Sequence, residues 1–141
     1  MDHQFDVNGL YALRAALTAH ADHLGATSDE VDQLLIIGGE LATNAVRHGG
    51  GRGRLRLWRV GRQLYCQVTD EDGGMTDPEA GQIAAAPTAL GGRGLWIIRQ
   101  LADNVVIDTD RHGTTVTIAI SLANPVDASI EDRELGTEHT A

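Results

Sequence analysis

Hydrophobic residues recur along this chain at two different periods, and the switch between them lays out the elements. Leu10, Leu13, Leu17 and Leu24 are spaced three, four and seven apart, which is the spacing of one helix face and predicts a first helix ending near Gly25. A short edge strand over residues 5–7 precedes it. Thr27 and Glu30 stand in the capping-box relation, so a second helix opens there, and Gly49-Gly50-Gly51 stops it. Within that helix Val31, Leu34, Leu35, Gly38, Leu41, Ala42 and Ala45 form one apolar stripe, while Ile36 and Ile37 carry apolar surface round the other side. Residues 54–60 and 63–69 alternate with period two about Gly61-Arg62, the pattern of a hairpin with glycine at the first turn position. Residues 75–90 are rich in Gly, Ala, Pro and Thr and read as a loop, and residues 93–103 read as a third helix. Residues 105–108 and 114–122 form a second antiparallel pair around Arg111-His112-Gly113.

Strand pairs interleaved with helices predict an α/β two-layer sandwich, a mixed and mostly antiparallel sheet with about three helices on one face. The expected domain is residues 1–122. Residues 123–141 hold five acids and one arginine, a net of −4, with little apolar periodicity, and read as a disordered, solvated tail; a partner-binding extension is the other reading.

Composition narrows the function classes. With 42% hydrophobic but only 4% aromatic residues among 141, aliphatic side chains must fill the core of a single domain. No apolar run approaches membrane-spanning length and no basic stretch leads into an apolar one at the start, so the expected location is the cytoplasm. A net charge of −9 argues against direct binding of nucleic acid or an anionic membrane. All 11 basic residues are arginines, which excludes a lysine-dependent Walker loop and leaves arginine or a metal for any cationic contact to a nucleotide. The single Cys66 has no internal disulfide partner and reads as a small buried side chain.

Three segments carry candidate chemistry. Glu40 and Asn44 lie four apart on the second helix and leave one face of it, where they can converge on one ligand. Taken alone, that helix supports a solvated polar patch equally well. Val68-Thr69-Asp70-Glu71-Asp72-Gly73-Gly74 ends a strand pattern in an acidic cluster with two glycines, and Gly91-Gly92-Arg93-Gly94-Leu95-Trp96 opens a helix. The acidic cluster is not a calcium loop, because Met75 falls where that loop needs glycine and Gly81 where it needs glutamate. The glycine run is not a Rossmann fingerprint, since it lacks the third glycine and a preceding strand. His20 and His23, three apart with no further ligand type nearby, read as surface residues rather than a metal site.

In chain order, Glu40-Leu41-Ala42-Thr43-Asn44-Ala45-Val46-Arg47-His48-Gly49, the segment around Asp70, the segment around Gly94 and Gly113-Thr114-Thr115-Val116 resemble the N box, G1 box, G2 box and closing Gly-Thr strand of the GHKL ATPase superfamily. The resemblance spans about residues 5–122. The wording of the first and third motifs looks most like the stand-alone anti-sigma factor and serine protein kinase group. It implies a histidine kinase-like ATPase fold that binds ATP with Mg²⁺. Glu40 would then be the general base, Asn44 the metal ligand through its carbonyl oxygen, and His48 a residue capping the helix end or lining the pocket. Asp70 would accept a hydrogen bond from the adenine amino group. Gly74, Gly92, Arg93, Gly94, Leu95 and Thr115 complete the implied nucleotide contacts: glycines for close backbone approach, helix-start amides for phosphate oxygens, Arg93 for charge, and a threonine hydroxyl near the adenine. The usual G1 wording has glycine where this chain has Asp72, which puts an extra negative charge near the nucleotide.

The resemblance further implies a homodimeric regulator that sequesters an RNA polymerase sigma factor and phosphorylates a serine or threonine of an anti-anti-sigma antagonist. The alternative is a non-catalytic sigma- or protein-binding module with a degenerate or structural nucleotide site. A detached histidine-kinase catalytic domain is a weaker third reading, because no dimerisation helix with a phosphoacceptor precedes residue 5.

Overall fold

The computed structural model describes residues 1–48, 50–70, 93–111 and 113–125. In chain order they form β1 (Asp2–Asp6), a 3₁₀ turn (Val7–Gly9), α1 (Leu10–His23), α2 (Ser28–His48), β2 (Arg52–Val60), β3 (Gln63–Asp70), α3 (Arg93–Leu101), β4 (Asn104–Asp110) and β5 (Gly113–Ser121). The five strands make one sheet in the order β1-β2-β3-β5-β4. Every pair is antiparallel, so the sheet is uniform rather than mixed. The loop expected over 75–90 and nearly all of the expected tail lie outside the described residues.

Local sequence explains the helix ends. Asp6 Oδ1 accepts from the N–H groups of Asn8 and Gly9 at 2.9 and 3.0 Å and turns β1 into α1. The end of α1 is a Schellman motif: Gly25 takes φ +93°, its N–H donates to the Asp22 carbonyl, and the Ala26 N–H donates to that of Ala21. The capping box forms as the sequence predicts, with the Thr27 N–H on Glu30 Oε1 at 2.8 Å and the Glu30 N–H on Thr27 Oγ1 at 3.2 Å. At the β2–β3 hairpin Gly61 has φ +59° and no non-glycine described residue has positive φ, which fits a type II′ turn.

One face of the sheet carries Leu55, Leu57, Leu64, Cys66, Val68, Val116, Ile118 and Ile120, all buried against the helices. The opposite face is covered by cross-strand polar pairs, Gln63–Ser121, Gln67–Thr117 and Thr69–Thr115, around a Trp58–Tyr65 stack with centroids 5.5 Å apart. That polarity is why the sandwich stops at two layers. The buried stripe of α2 is Val31, Leu34, Ile37, Gly38, Leu41, Ala42 and Ala45. Its phase differs from the sequence reading: Ile37 joins the core, Leu35 is half-buried, and Ile36 is 47% exposed. Gly38 faces α1 so closely that a Cβ would stand 2.8 Å from Leu17 Cδ1. Cys66 lies in the core, where desolvation pushes its thiol up to about 12. It should therefore resist thiol reagents until the domain unfolds.

Two buried or half-buried charged side chains hold the segment after β5. Arg59, 4% exposed, donates to the carbonyls of Leu24, Gly61 and Asn124. Glu30, already in the capping box, also accepts the Ala123 N–H at 2.8 Å. Residues 123 and 124 are thus bonded to the domain, a little past the boundary expected at 122.

Candidate functional site

The C-terminal half of α2, the end of β3, the start of β5 and the first turn of α3 meet at one end of the sandwich. Asn44 and His48 from α2, Asp70 from β3 and Thr114 from β5 line a recess walled by Leu41, Ala45, Val68 and Val116. Its enclosed volume is about 20 Å³, room for a water, so it marks where these polar groups converge rather than the outline of a larger ligand.

Asp70 is the last residue of β3 and only 7% exposed. A buried carboxylate needs donors, and the Thr114 N–H supplies one to Oδ1 at 3.2 Å. Gly113 makes the approach possible. A Cβ there would lie 2.4 Å from Asp70 Oδ1 and 2.7 Å from the Asp70 carbonyl oxygen, and the residue has φ +145°. Gly113→Ala should therefore both strain the backbone and push Asp70 out of place. We expect a loss of about 1–3 kcal/mol in chemical denaturation, with any ligand contact of Asp70 lost alongside.

Glu40 and Asn44 come together at Gly94, the second residue of α3. A Cβ on Gly94 would sit 2.8 Å from Glu40 Oε2 and 3.8 Å from Asn44 Nδ2, so the first turn of α3 lies against both side chains, and a larger residue there would displace the end of Glu40. Asn44 Nδ2 is buried with no hydrogen-bond partner among the described residues. An orphaned buried amide is costly and marks a place for a ligand; which of its two ends faces that place is an assignment made from hydrogen bonding. Glu40 lines no part of the Asp70 recess. It stands one turn earlier on α2, beside the start of α3, which separates a recess end of the site from a carboxylate end.

The remaining expected residues fall as follows. Arg93 opens α3, and Leu95, half-buried, follows Gly94 in its first turn. Gly74 and Gly92, like Asp72, lie outside the described residues. Thr115 points to the open face, its hydroxyl 3.1 Å from that of Thr69, so it is Thr114 that reaches the recess. The strand's alternation carried the signal: Val116, Ile118 and Ile120 face the helices, and Thr114 shares their parity.

A family model described as the histidine kinase-like ATPase domain matches residues 4–120. The chain belongs to this family. A search of curated proteins gives no match. Among solved structures, this histidine kinase-like ATPase domain is similar to the RsbU and RsbW domains of Rv1364c from Mycobacterium tuberculosis, with 18% identity and a TM-score of 0.59 over 89% of the chain. It spans 34% of that longer chain. It is also similar to the histidine kinase AdeS of Acinetobacter baumannii, with 16% identity and a TM-score of 0.51 over 88% of this chain and 68% of that one. These likenesses establish the fold. The family is one of ATPase and kinase domains, and ATP is the ligand it implies. Among the described residues no helix is long and apolar enough to cross a membrane.

The donor set fits Mg-ATP. Mg²⁺ usually takes few protein oxygens and completes its shell with phosphates and water; the Asn44 side-chain oxygen can offer one, while its unpartnered Nδ2 is a donor suited to a phosphate oxygen. A helix start carries N–H groups toward anions, and Asp70 is a pure acceptor when ionised.

Proposed function

We propose that this domain is an ATP-binding anti-sigma regulator that sequesters an RNA polymerase sigma factor and phosphorylates a serine or threonine of an anti-anti-sigma antagonist. The observation that carries the catalytic part is the meeting of Glu40 and the orphaned Asn44 amide at Gly94. The partner classes rest on the motif resemblance, with which a shared fold with a structure holding an RsbW domain agrees.

Bound ATP with Mg²⁺ supplies the γ-phosphoryl group and offsets its charge. Asn44 holds the metal through its amide oxygen, and the first turn of α3 faces the phosphates. Asp70 accepts from the adenine amino group. Glu40 takes the proton of the attacking hydroxyl as that oxygen bonds to phosphorus and ADP departs. Formation of a homodimer belongs to the same reading and is checked by sedimentation.

Asp70 makes the reading testable on nucleotide alone. Guanine presents a carbonyl where adenine presents its amine, so an ionised Asp70 would face an acceptor with an acceptor. Calorimetry should show ATP with Mg²⁺ binding well ahead of GTP. Asp70→Asn should weaken ATP about tenfold or more, the loss of a charge-assisted hydrogen bond of roughly 1.5–3 kcal/mol, and narrow the gap to GTP. No ATP binding at millimolar nucleotide would leave the non-catalytic module, the second reading, which Asp72 in the G1 segment favours. Pull-downs with and without ATP would then identify the partners.

A further inference from the structure

α2 and α3 run antiparallel and touch through polar side chains at both ends of their contact. At one end Gly94 lies against Glu40 and Asn44. At the other, Gln33 Nε2 donates to the carbonyl of Leu101, the last residue of α3. Turned the other way, the amide would set its oxygen against a carbonyl oxygen, so the contact itself fixes the donating end. Gln33 precedes Glu40 by seven residues and Leu101 follows Gly94 by seven. The two contacts therefore stand about 10 Å apart along both helices and agree on one register.

α3 has nine residues, too few to hold a helix in water unaided, and Ile98 is its one fully buried side chain among the described residues. A single buried side chain sets how deep such a helix lies and leaves its slide and rotation to other contacts. Those contacts gather at the C-terminal end. The Leu101 carbonyl, which has no partner within the helix, takes Gln33. Just beyond, the Asp103 N–H donates to the Ala119 carbonyl at 2.8 Å, and Asp103 Oδ2 accepts from the N–H and Oγ of Ser121 at 2.7 and 2.6 Å. We propose that Gln33 is a positioning residue for the phosphates of bound nucleotide: by holding the last carbonyl of α3 it sets the register that brings Gly94 and the first-turn amides to Glu40 and Asn44. The inference rests on the ATP reading of the site. The Asp70 recess is built from α2, β3 and β5 without α3, so loss of the tether strikes the phosphate end and spares the adenine end.

The test compares two ligands on three proteins. Gln33→Met keeps the length and helix preference of the side chain and removes its donor. Calorimetry should show Mg-ATP weakened about tenfold in this variant. Adenosine, followed by NMR at the Val68 and Val116 methyls, should stay within about twofold of wild type, because its site shares no contact with Gln33. Gln33→Lys offers an ammonium donor to the same carbonyl, a cation at a helix C-terminus, and should return Mg-ATP to within about threefold of wild type. A side chain that served only the stability of the domain would weaken both ligands together. Unchanged Mg-ATP binding by Gln33→Met, equal loss of Mg-ATP and adenosine, or no recovery in Gln33→Lys would overturn the inference while leaving ATP binding in place. A wild type that binds no Mg-ATP would overturn the ATP reading itself, and the inference with it.

Discussion

Glu40→Gln is expected to cut phosphate transfer to the antagonist by about 10² or more, the usual worth of a positioned base, while folding and Mg-ATP affinity stay near wild type. Glu40 makes no hydrogen bond or ion pair among the described residues, so its carboxylate is not committed to holding the fold. Glutamine has nearly the same shape, and the close contact with Gly94 is therefore kept. What is lost is the ability to take a proton. Asn44→Ala should differ in kind: it removes the proposed metal ligand and should weaken Mg-ATP itself. Transfer from γ-labelled ATP, measured beside calorimetry on both variants, separates the two roles. A wild-type protein that holds a sigma factor yet labels no antagonist would rule out the kinase and leave the module. Equal labelling by wild type and Glu40→Gln would assign the proton to another group.

Legibility of this fold in the sequence followed the range of the forces involved. The capping box at Thr27 and Glu30, the glycine ending α1 and the Gly61 hairpin are local devices, and each formed where the residues predict it. The phase of α2 did not follow, because α1 packs on one side of it and the sheet on another, and those neighbours rather than periodicity chose Ile37 over Leu35 for the core. β1 runs over Asp2–Asp6 rather than residues 5–7, since an edge strand can carry Asp2, Gln4 and Asp6 outward and show only Phe5 as a core residue. Pairing of β3 with β5, which makes the sheet wholly antiparallel, joins strands more than forty residues apart, and no local pattern specifies it. At the site, the helical spacing of Glu40 and Asn44 was readable, whereas their convergence on Gly94 required the tertiary fold. Strand parity selects Thr114 over Thr115 for the recess, since Thr114 shares the phase of Val116 and Ile118 while Thr115 meets Thr69 on the open face.

Parity also exposes Arg59, which follows Leu55 and Leu57 inward on β2, and Arg59→Ala is expected to be the most destabilising single substitution considered. The guanidinium ties the end of α1, the β2–β3 hairpin and the segment after β5 through three carbonyls. Removing it leaves those acceptors to water, opens a cavity beside Gly25, whose absent Cβ would stand 2.9 Å from Arg59 Nη1, and takes away one of the ties on Asn124. Relief of the cost of burying a cation offsets part of this. A net loss of about 3–4 kcal/mol is expected, since hydrogen bonds to a charged group contribute roughly 1.5–3 kcal/mol each and are not additive. In thermal unfolding that is a fall in Tm of roughly 10 °C or more. Arg59→Lys tests the cause. It keeps the charge and most of the stem, but a single ammonium has no planar fork with which to reach three separate carbonyls. A lysine variant recovering less than half of the loss would assign the stability to the geometry of the guanidinium, and full recovery would assign it to the charge alone.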